Sequence, residues 1–257
     1  MKQKLIIGNW KLNPDTVREA KEIFNPLKRS VSKLAAVGAK GSVEVVICPP
    51  AVYLSDLAKL AGEKIKLGAQ DTFYETLGAY TGELGASMLA HAGASYVLLG
   101  HSERRRAGDA DGTINRKLRR ALAVGLRPVL CVGEERRDPD GFYLQTLRTQ
   151  LEEGLRGLSK KDFAALTIAY EPVWAIGAEA KGSDTPRGFL EQAIYIRKVI
   201  AGLAGKEAAL KLPVLYGGSV DQNNAAGFLG DGEADGLLVG RASLDPQIFI
   251  ETIKLAQ

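Results

Sequence analysis

Apolar positions along this chain gather in short continuous runs, set between longer segments where apolar and charged residues recur at helical spacing. The runs fall at Leu5–Gly8, Val43–Cys48, Ile65–Ala69, Tyr96–Leu99, Pro128–Val132, Leu166–Tyr170, Val214–Tyr216 and Gly236–Val239. Most are apolar at every position rather than at alternate ones. That is the pattern of strands covered on both faces, and it predicts a parallel sheet. Parallel pairing needs a crossover of about a dozen residues or more. The amphipathic segments Thr16–Ala36, Thr113–Val124, Gln145–Leu158, Pro186–Ala204 and Asp221–Leu229 supply it. Successive βα units form either a closed barrel or a long doubly wound sheet. No GxGxxG follows the first run and no composition break divides the chain. The expectation is therefore an α/β protein, a closed eight-stranded parallel (β/α)8 barrel, with residues 1–257 as one domain.

Composition narrows the partners more than the fold. Hydrophobic residues at 46% and charged residues at 25% exclude disorder and coiled coil. The net charge of +4 is mild and its cations are scattered, which argues against nucleic acid or a membrane surface as partner. Cys48 and Cys131 each close an apolar run and no CxxC is present, which suits buried thiols in a reducing compartment. The opening MKQKLIIGNWK holds too short an apolar run for an export signal. The longest stretch free of Asp, Glu, Lys and Arg, Leu84–Ser102, is broken by glycines, serines and both histidines, and so predicts no membrane span. A cytoplasmic location is expected. Gly38–Ser42 and Arg136–Gly141 read as surface turns.

A barrel carries its reactive residues on the loops that follow its strands. Polar residues collect there: Asn9 and Lys11 after the first run, His101-Ser102-Glu103 after the fourth, Glu134 after the fifth, Glu171 after the sixth, Gly218-Ser219 after the seventh, and Gly240-Arg241 after the eighth. Taken singly, each has a plain reading. Asn9 and Lys11 suit a turn, His101 a helix cap, His91 a helix surface, and Cys131 and Trp174 the core. Taken together they sit at one rim. Glu171 is the one carboxylate well placed as a base and His101 the one imidazole at that rim. Lys11 adds a fixed cation, and the last two loops form the usual phosphate cradle of such a barrel. A base, an electrophile, an ammonium and a phosphate site describe proton abstraction beside the carbonyl of a small sugar phosphate.

At these residues the sequence resembles the triosephosphate isomerase family. The motifs are GNWK at 8–11, GAQD at 68–71, TGE at 81–83, GHSERR at 100–105, AYEPVWAIG at 169–177, YGGSV at 216–220 and GLLVGRASL at 236–244. The resemblance implies the TIM-barrel fold, no metal or organic cofactor, and interconversion of dihydroxyacetone phosphate and glyceraldehyde 3-phosphate. It also implies roles. Glu171 shuttles a proton between the first two carbons; His101, kept neutral by a helix N-terminus, polarises the carbonyl. Lys11 stabilises the enediolate, Asn9 orients the substrate, Glu103 hydrogen-bonds near Lys11, and Cys131 packs behind the base. The amides of Gly177, Ser219, Gly240 and Arg241 hold the phosphate.

Two departures from the family pattern stand out. The phosphate turn, commonly Gly-Gly, is Gly240-Arg241 here, and the lid after Gly177 runs AEAKGSD before Thr185-Pro186, two residues longer than the usual TGKTA form. The loop Asp71–Thr81 carries Phe73, Tyr74, Leu77 and Tyr80, an apolar finger better suited to a partner surface than to water. In the family this loop inserts beside the neighbouring subunit's active site, so a homodimer is expected. An inactive phosphate-binding protein on the same barrel, or another sugar-phosphate isomerase, are the alternative readings.

Overall fold

The computed structural model describes residues 3–36, 43–176 and 184–257. Eight strands close a barrel in chain order: β1 (Lys4–Asn9), β2 (Val43–Cys48), β3 (Ile65–Ala69), β4 (Ala94–Leu99), β5 (Arg127–Val132), β6 (Thr167–Tyr170), β7 (Val214–Tyr216) and β8 (Gly236–Val239). Every pairing is parallel, and the seam closes with Leu5 opposite Gly236 and Gly8 opposite Val239. At that seam a Cβ on Gly236 would land inside the Leu5 carbonyl, so no larger residue fits. The (β/α)8 barrel anticipated from the apolar runs is the fold observed, with strand limits within two residues of those expected.

Ten helices alternate with the strands among the described residues: α1 (Val17–Ala36), α2 (Leu54–Ala61), α3 (Ala86–His91), α4 (Ser102–Arg106), α5 (Asp111–Ala123), α6 (Tyr143–Gly154), α7 (Pro186–Ala204), α8 (Lys206–Lys211), α9 (Ala225–Leu229) and α10 (Pro246–Leu255). Helix α1 starts on a reciprocal cap. Thr16 Oγ1 accepts from the Glu19 N–H at 3.2 Å, and Glu19 Oε2 accepts from the Thr16 N–H at 3.1 Å. Its buried face, Ala20, Phe24, Leu27 and Val31, recurs every three to four residues against the strands. Helices α7 and α10 each begin with a capping side chain, Thr185 or Asp245, followed by proline at the first helical position.

Two expectations are shortened. The segment ending at Leu158 stops being helical at Gly154, and Asp221–Leu229 is helical only from Ala225. In the latter, Asn224 Oδ1 takes the Asp221 N–H at 3.1 Å and Asp221 Oδ1 takes the Asn223 N–H at 2.8 Å. Local side chain to backbone bonds have displaced the first helical turn. Among the described residues, no helix is long and apolar enough to cross a membrane.

The core has two layers, because alternate residues of a strand face opposite ways. Ile6, Val45, Ile47, Val97, Leu130 and Ile168 face the helices. Leu5, Ile7, Val46, Cys48, Leu98, Val129, Cys131, Ala169, Leu215 and Leu238 fill the barrel interior. The same alternation carries one step past the strand ends. After Leu5 and Ile7 the next inward position is Asn9, after Ala169 it is Glu171, and after Leu238 it is Gly240. The strand period thus delivers these residues to the barrel mouth. At the opposite end Tyr96 hydrogen-bonds Glu44 Oε1 at 2.8 Å, and Arg127 pairs with that carboxylate at 3.3 Å while covering the Tyr96 ring.

Candidate active site

A cavity of about 1120 Å³ opens at the C-terminal ends of the strands, lined by Asn9, Lys11, His101, Glu103, Glu171, Ser219, Gly240 and Arg241 among others. All of the site residues expected from the sequence meet there except Gly177, which lies outside the described residues, as do Glu179, Lys181 and Gly182 of the lid.

Glu171 follows β6 directly and is 2% exposed. A charge so buried needs partners. Oε2 accepts from the Ser102 N–H at 2.9 Å, and Oε1 lies 3.2 Å from His101 Nε2. Those use two of the roughly four acceptor positions of a carboxylate, so acceptor capacity stays free for a proton. Burial, with the Glu171 charge beside it, pushes the Cys131 thiol far above its ordinary range. Cys131 therefore stays a protonated thiol. Gly133 lets β5 approach: a Cβ there would overlap the Glu171 carbonyl. Gln150 clamps that glycine from both sides, accepting from its N–H at 2.8 Å and donating to its carbonyl at 3.0 Å.

His101 caps α4, and the cap settles its tautomer. Nδ1 accepts from the Glu103 N–H at 3.2 Å, so the ring hydrogen sits on Nε2, facing Glu171. The result is a neutral imidazole that presents an N–H to the cavity. By contrast His91 ends α3 on the surface, with Nδ1 2.7 Å from the Ser87 carbonyl, as its plain reading had it.

Lys11 adopts a left-handed backbone with φ 54, rare for a side chain with a Cβ. Neighbours hold it there. Its N–H donates to Asn9 Oδ1 at 3.0 Å, its carbonyl accepts from Gln70 at 2.8 Å, and its ammonium reaches Glu103 Oε1 at 2.6 Å. Strain of this kind collects at functional sites. Burial alone raises the Glu103 carboxyl, but the Lys11 hydrogen bond and charge outweigh it and hold that group below the ordinary range. Across the cavity no hydrogen bond within the described residues uses the N–H of Ser219, Gly240 or Arg241. Those amides are available to an anion.

The sequence reading missed a cluster beside the end of β6. Arg137, taken there for part of a surface turn, donates through Nε to Glu134 Oε1 at 3.0 Å and through Nη2 to the Tyr170 hydroxyl at 2.9 Å. It also pairs with Asp184 Oδ2 at 3.4 Å and lies 4.8 Å over the Trp174 ring. Glu134 is 1% exposed and takes the Tyr170 hydroxyl at 2.7 Å and the Trp174 indole at 2.9 Å. This cluster joins both ends of the stretch that flanks residues 177–183. Asp184, counted from sequence with the unmatched hinge, is buried. Its carboxyl is raised by that burial and lowered in part by Arg137. A basic residue in a run of Glu, Arg and Asp at 134–138 carries no sequence signal of such a role. Among the described residues no group of His, Cys, Asp and Glu stands ready to hold a metal.

The loop Asp71–Thr81 packs partly on itself. Phe73 lies 4.2 Å from Tyr74 and 4.8 Å from Tyr80, Arg116 covers Tyr74, and Lys117 holds Asp71 at 2.8 Å. Leu77 and Tyr80 remain exposed, at 78% and 46%.

The family described as Triosephosphate isomerase matches residues 4–256. Among curated proteins, a Triosephosphate isomerase of Citrifermentans bemidjiense is 43% identical, with all of both chains covered. Those of Aquifex aeolicus and Geobacter metallireducens are each 41% identical, over 98% and 97% of both chains respectively.

Proposed function

This chain belongs to the triosephosphate isomerase family, and on that premise we propose that it interconverts dihydroxyacetone phosphate and D-glyceraldehyde 3-phosphate. The observation that carries the reading is the pairing of a buried carboxylate that keeps acceptor capacity with a neutral imidazole whose N–H shares its cavity.

In this reading Glu171 takes the proton from the carbon beside the substrate carbonyl and returns it to the neighbouring carbon. A base acting on a weak carbon acid works best where water is excluded and its partners are fixed, as they are here. Nε2–H of His101 donates to the carbonyl oxygen as charge builds on it. A neutral donor stabilises that charge without giving its proton away prematurely. Lys11 places a cation beside the developing enediolate, Asn9 fixes the Lys11 backbone and orients the substrate, and Glu103 holds the ammonium in register. The free amides of Ser219, Gly240 and Arg241, with that of Gly177, receive the phosphate. The reaction needs no metal or organic cofactor, since proton transfer and charge stabilisation suffice.

The same reading takes the whole chain as one barrel domain, a cytoplasmic enzyme, and a homodimer formed through Asp71–Thr81. Exposed Leu77 and Tyr80 at the loop tip supply the apolar contact for a second copy. A coupled assay with either triose phosphate tests the activity: turnover in both directions is expected, and a pure protein without it, yet still binding phosphate, would establish the inactive alternative. Sedimentation of Leu77→Asp/Tyr80→Asp against the parent tests the dimer, with dissociation expected.

A further inference from the structure

Among the described residues the lining of the cavity carries more negative than positive charge, although the substrate proposed for it is an anion. Among its described lining residues stand four carboxylates, Glu103, Glu171, Asp221 and Asp245, against two cations, Lys11 and Arg241. Lys11 is already committed, because its ammonium sits 2.6 Å from Glu103. Arg241 is exposed, and among the described residues it makes no ion pair or hydrogen bond through its side chain. Neither Asp221 nor Asp245 claims it. Asp221 accepts from the Asn223 N–H at 2.8 Å, and Asp245 caps α10 through the N–H groups of Gln247 and Ile248.

A phosphate dianion approaching this mouth would meet net repulsion if Arg241 were absent. A guanidinium at the rim reverses the local field, raises the encounter rate and offers a two-pronged contact to phosphate oxygens. Its position fits that task. Arg241 follows Gly240 at the end of β8, on the same turn as the free amides, and shares the cavity with Ser219 and Lys11. The family pattern commonly places glycine here, which has no side chain to give.

Resting on the isomerase reading, we infer that the Arg241 side chain is a specificity-determining residue, the cation that recognises the phosphoryl group of the substrate and draws it into an otherwise acidic site. Its backbone amide would serve from any residue. The side chain adds long-range attraction and a charge-assisted contact, both of which act before chemistry begins.

The test uses Arg241→Gln and Arg241→Lys in the full chain. Steady-state isomerisation is measured across ionic strength, with inorganic phosphate as competing anion. Glutamine keeps the backbone and the amide but removes the charge. It is expected to raise KM and the phosphate inhibition constant together by about tenfold, to leave kcat within about threefold, and to flatten the fall of kcat/KM with salt. Lysine is expected to restore the salt dependence and to recover only part of the affinity, because an ammonium lacks the fork. An unchanged KM, phosphate constant and salt slope in Arg241→Gln would overturn the inference. So would a KM that rises while phosphate binding and the salt slope stay put, since that marks a disturbed turn. Calorimetric titration with inorganic phosphate reads the same residue without turnover. A chain that binds phosphate through Arg241 but isomerises nothing would fail the proposed function and not this inference.

Discussion

The two ends of the barrel hold similar chemical groups and treat them in opposite ways. At the N-terminal end a carboxylate, a guanidinium and a phenol, Glu44, Arg127 and Tyr96, satisfy one another. They plug the barrel and leave nothing to react. At the C-terminal end Glu171, His101 and Lys11 also bond to neighbours, but they line an open cavity, and Glu171 keeps acceptor positions beyond those taken by the Ser102 N–H and His101. Strand geometry accounts for the difference. Inward positions at the start of strands meet the converging chain, whereas those just past strand ends meet loops long enough to leave space. Polar groups at one end therefore contribute to stability, and at the other end some stability is given up for chemistry.

Four changes would break or sharpen that contrast. The largest effect is expected from Glu171→Gln, which removes the base and keeps its volume. We expect kcat to fall on the order of 10³-fold or more, about 4 kcal/mol of barrier, with KM little changed and the fold intact. Activity within tenfold of the parent would move the base elsewhere. Next comes Arg137→Ala, which leaves the buried carboxylates of Glu134 and Asp184 without their cation. A loss of about 2 kcal/mol is expected in denaturant unfolding, below the full value for a buried pair because the guanidinium is partly exposed. Activity should fall with it, since Tyr170 and Trp174 flank Glu171 in the chain.

At the other end, Tyr96→Phe deletes one hydroxyl whose partner is Glu44. It should lower stability by about 1 kcal/mol and leave kcat and KM untouched. A change in kinetics there would dissolve the division between the two ends. The smallest effect is a slope. The Asp184 carboxyl is raised by burial, so the folded chain binds its proton more tightly than the unfolded chain does. Stability therefore declines as pH rises from the ordinary carboxylate range through the raised value, and is level above it. Asp184→Asn should remove that decline, seen as a flatter curve of unfolding free energy against pH. A parent and variant with parallel curves would place the Asp184 titration outside the coupling to folding.

Much of this was legible along the chain. The apolar runs gave the strands and their parallel sense, because strands covered on both faces must be apolar throughout. The strand period placed Asn9 and Glu171, since a position two past an inward residue is inward again. Thr16 and Glu19 announced the start of α1 in four letters. The helices α2, α3, α4, α8 and α10 escaped, being at most three turns long and too brief for a periodic pattern to rise above chance.

What the sequence determined by itself is local or periodic: which segments are strands, that they pair in parallel, which residues end at the rim, and the motifs that mark the family. What only the tertiary structure decided is which groups share a partner. The Nε2–H of His101 follows from an N–H two residues on, but its meeting with Glu171 spans seventy positions. Arg137 becomes a hub only because β5, β6 and the start of α7 converge on it. The free state of Arg241 and the pairing of Lys11 with Glu103 are likewise settled across the barrel. Hydrogen bonds and charge pairs act over a few ångströms and are indifferent to distance along the chain, so only the closed barrel could assign them.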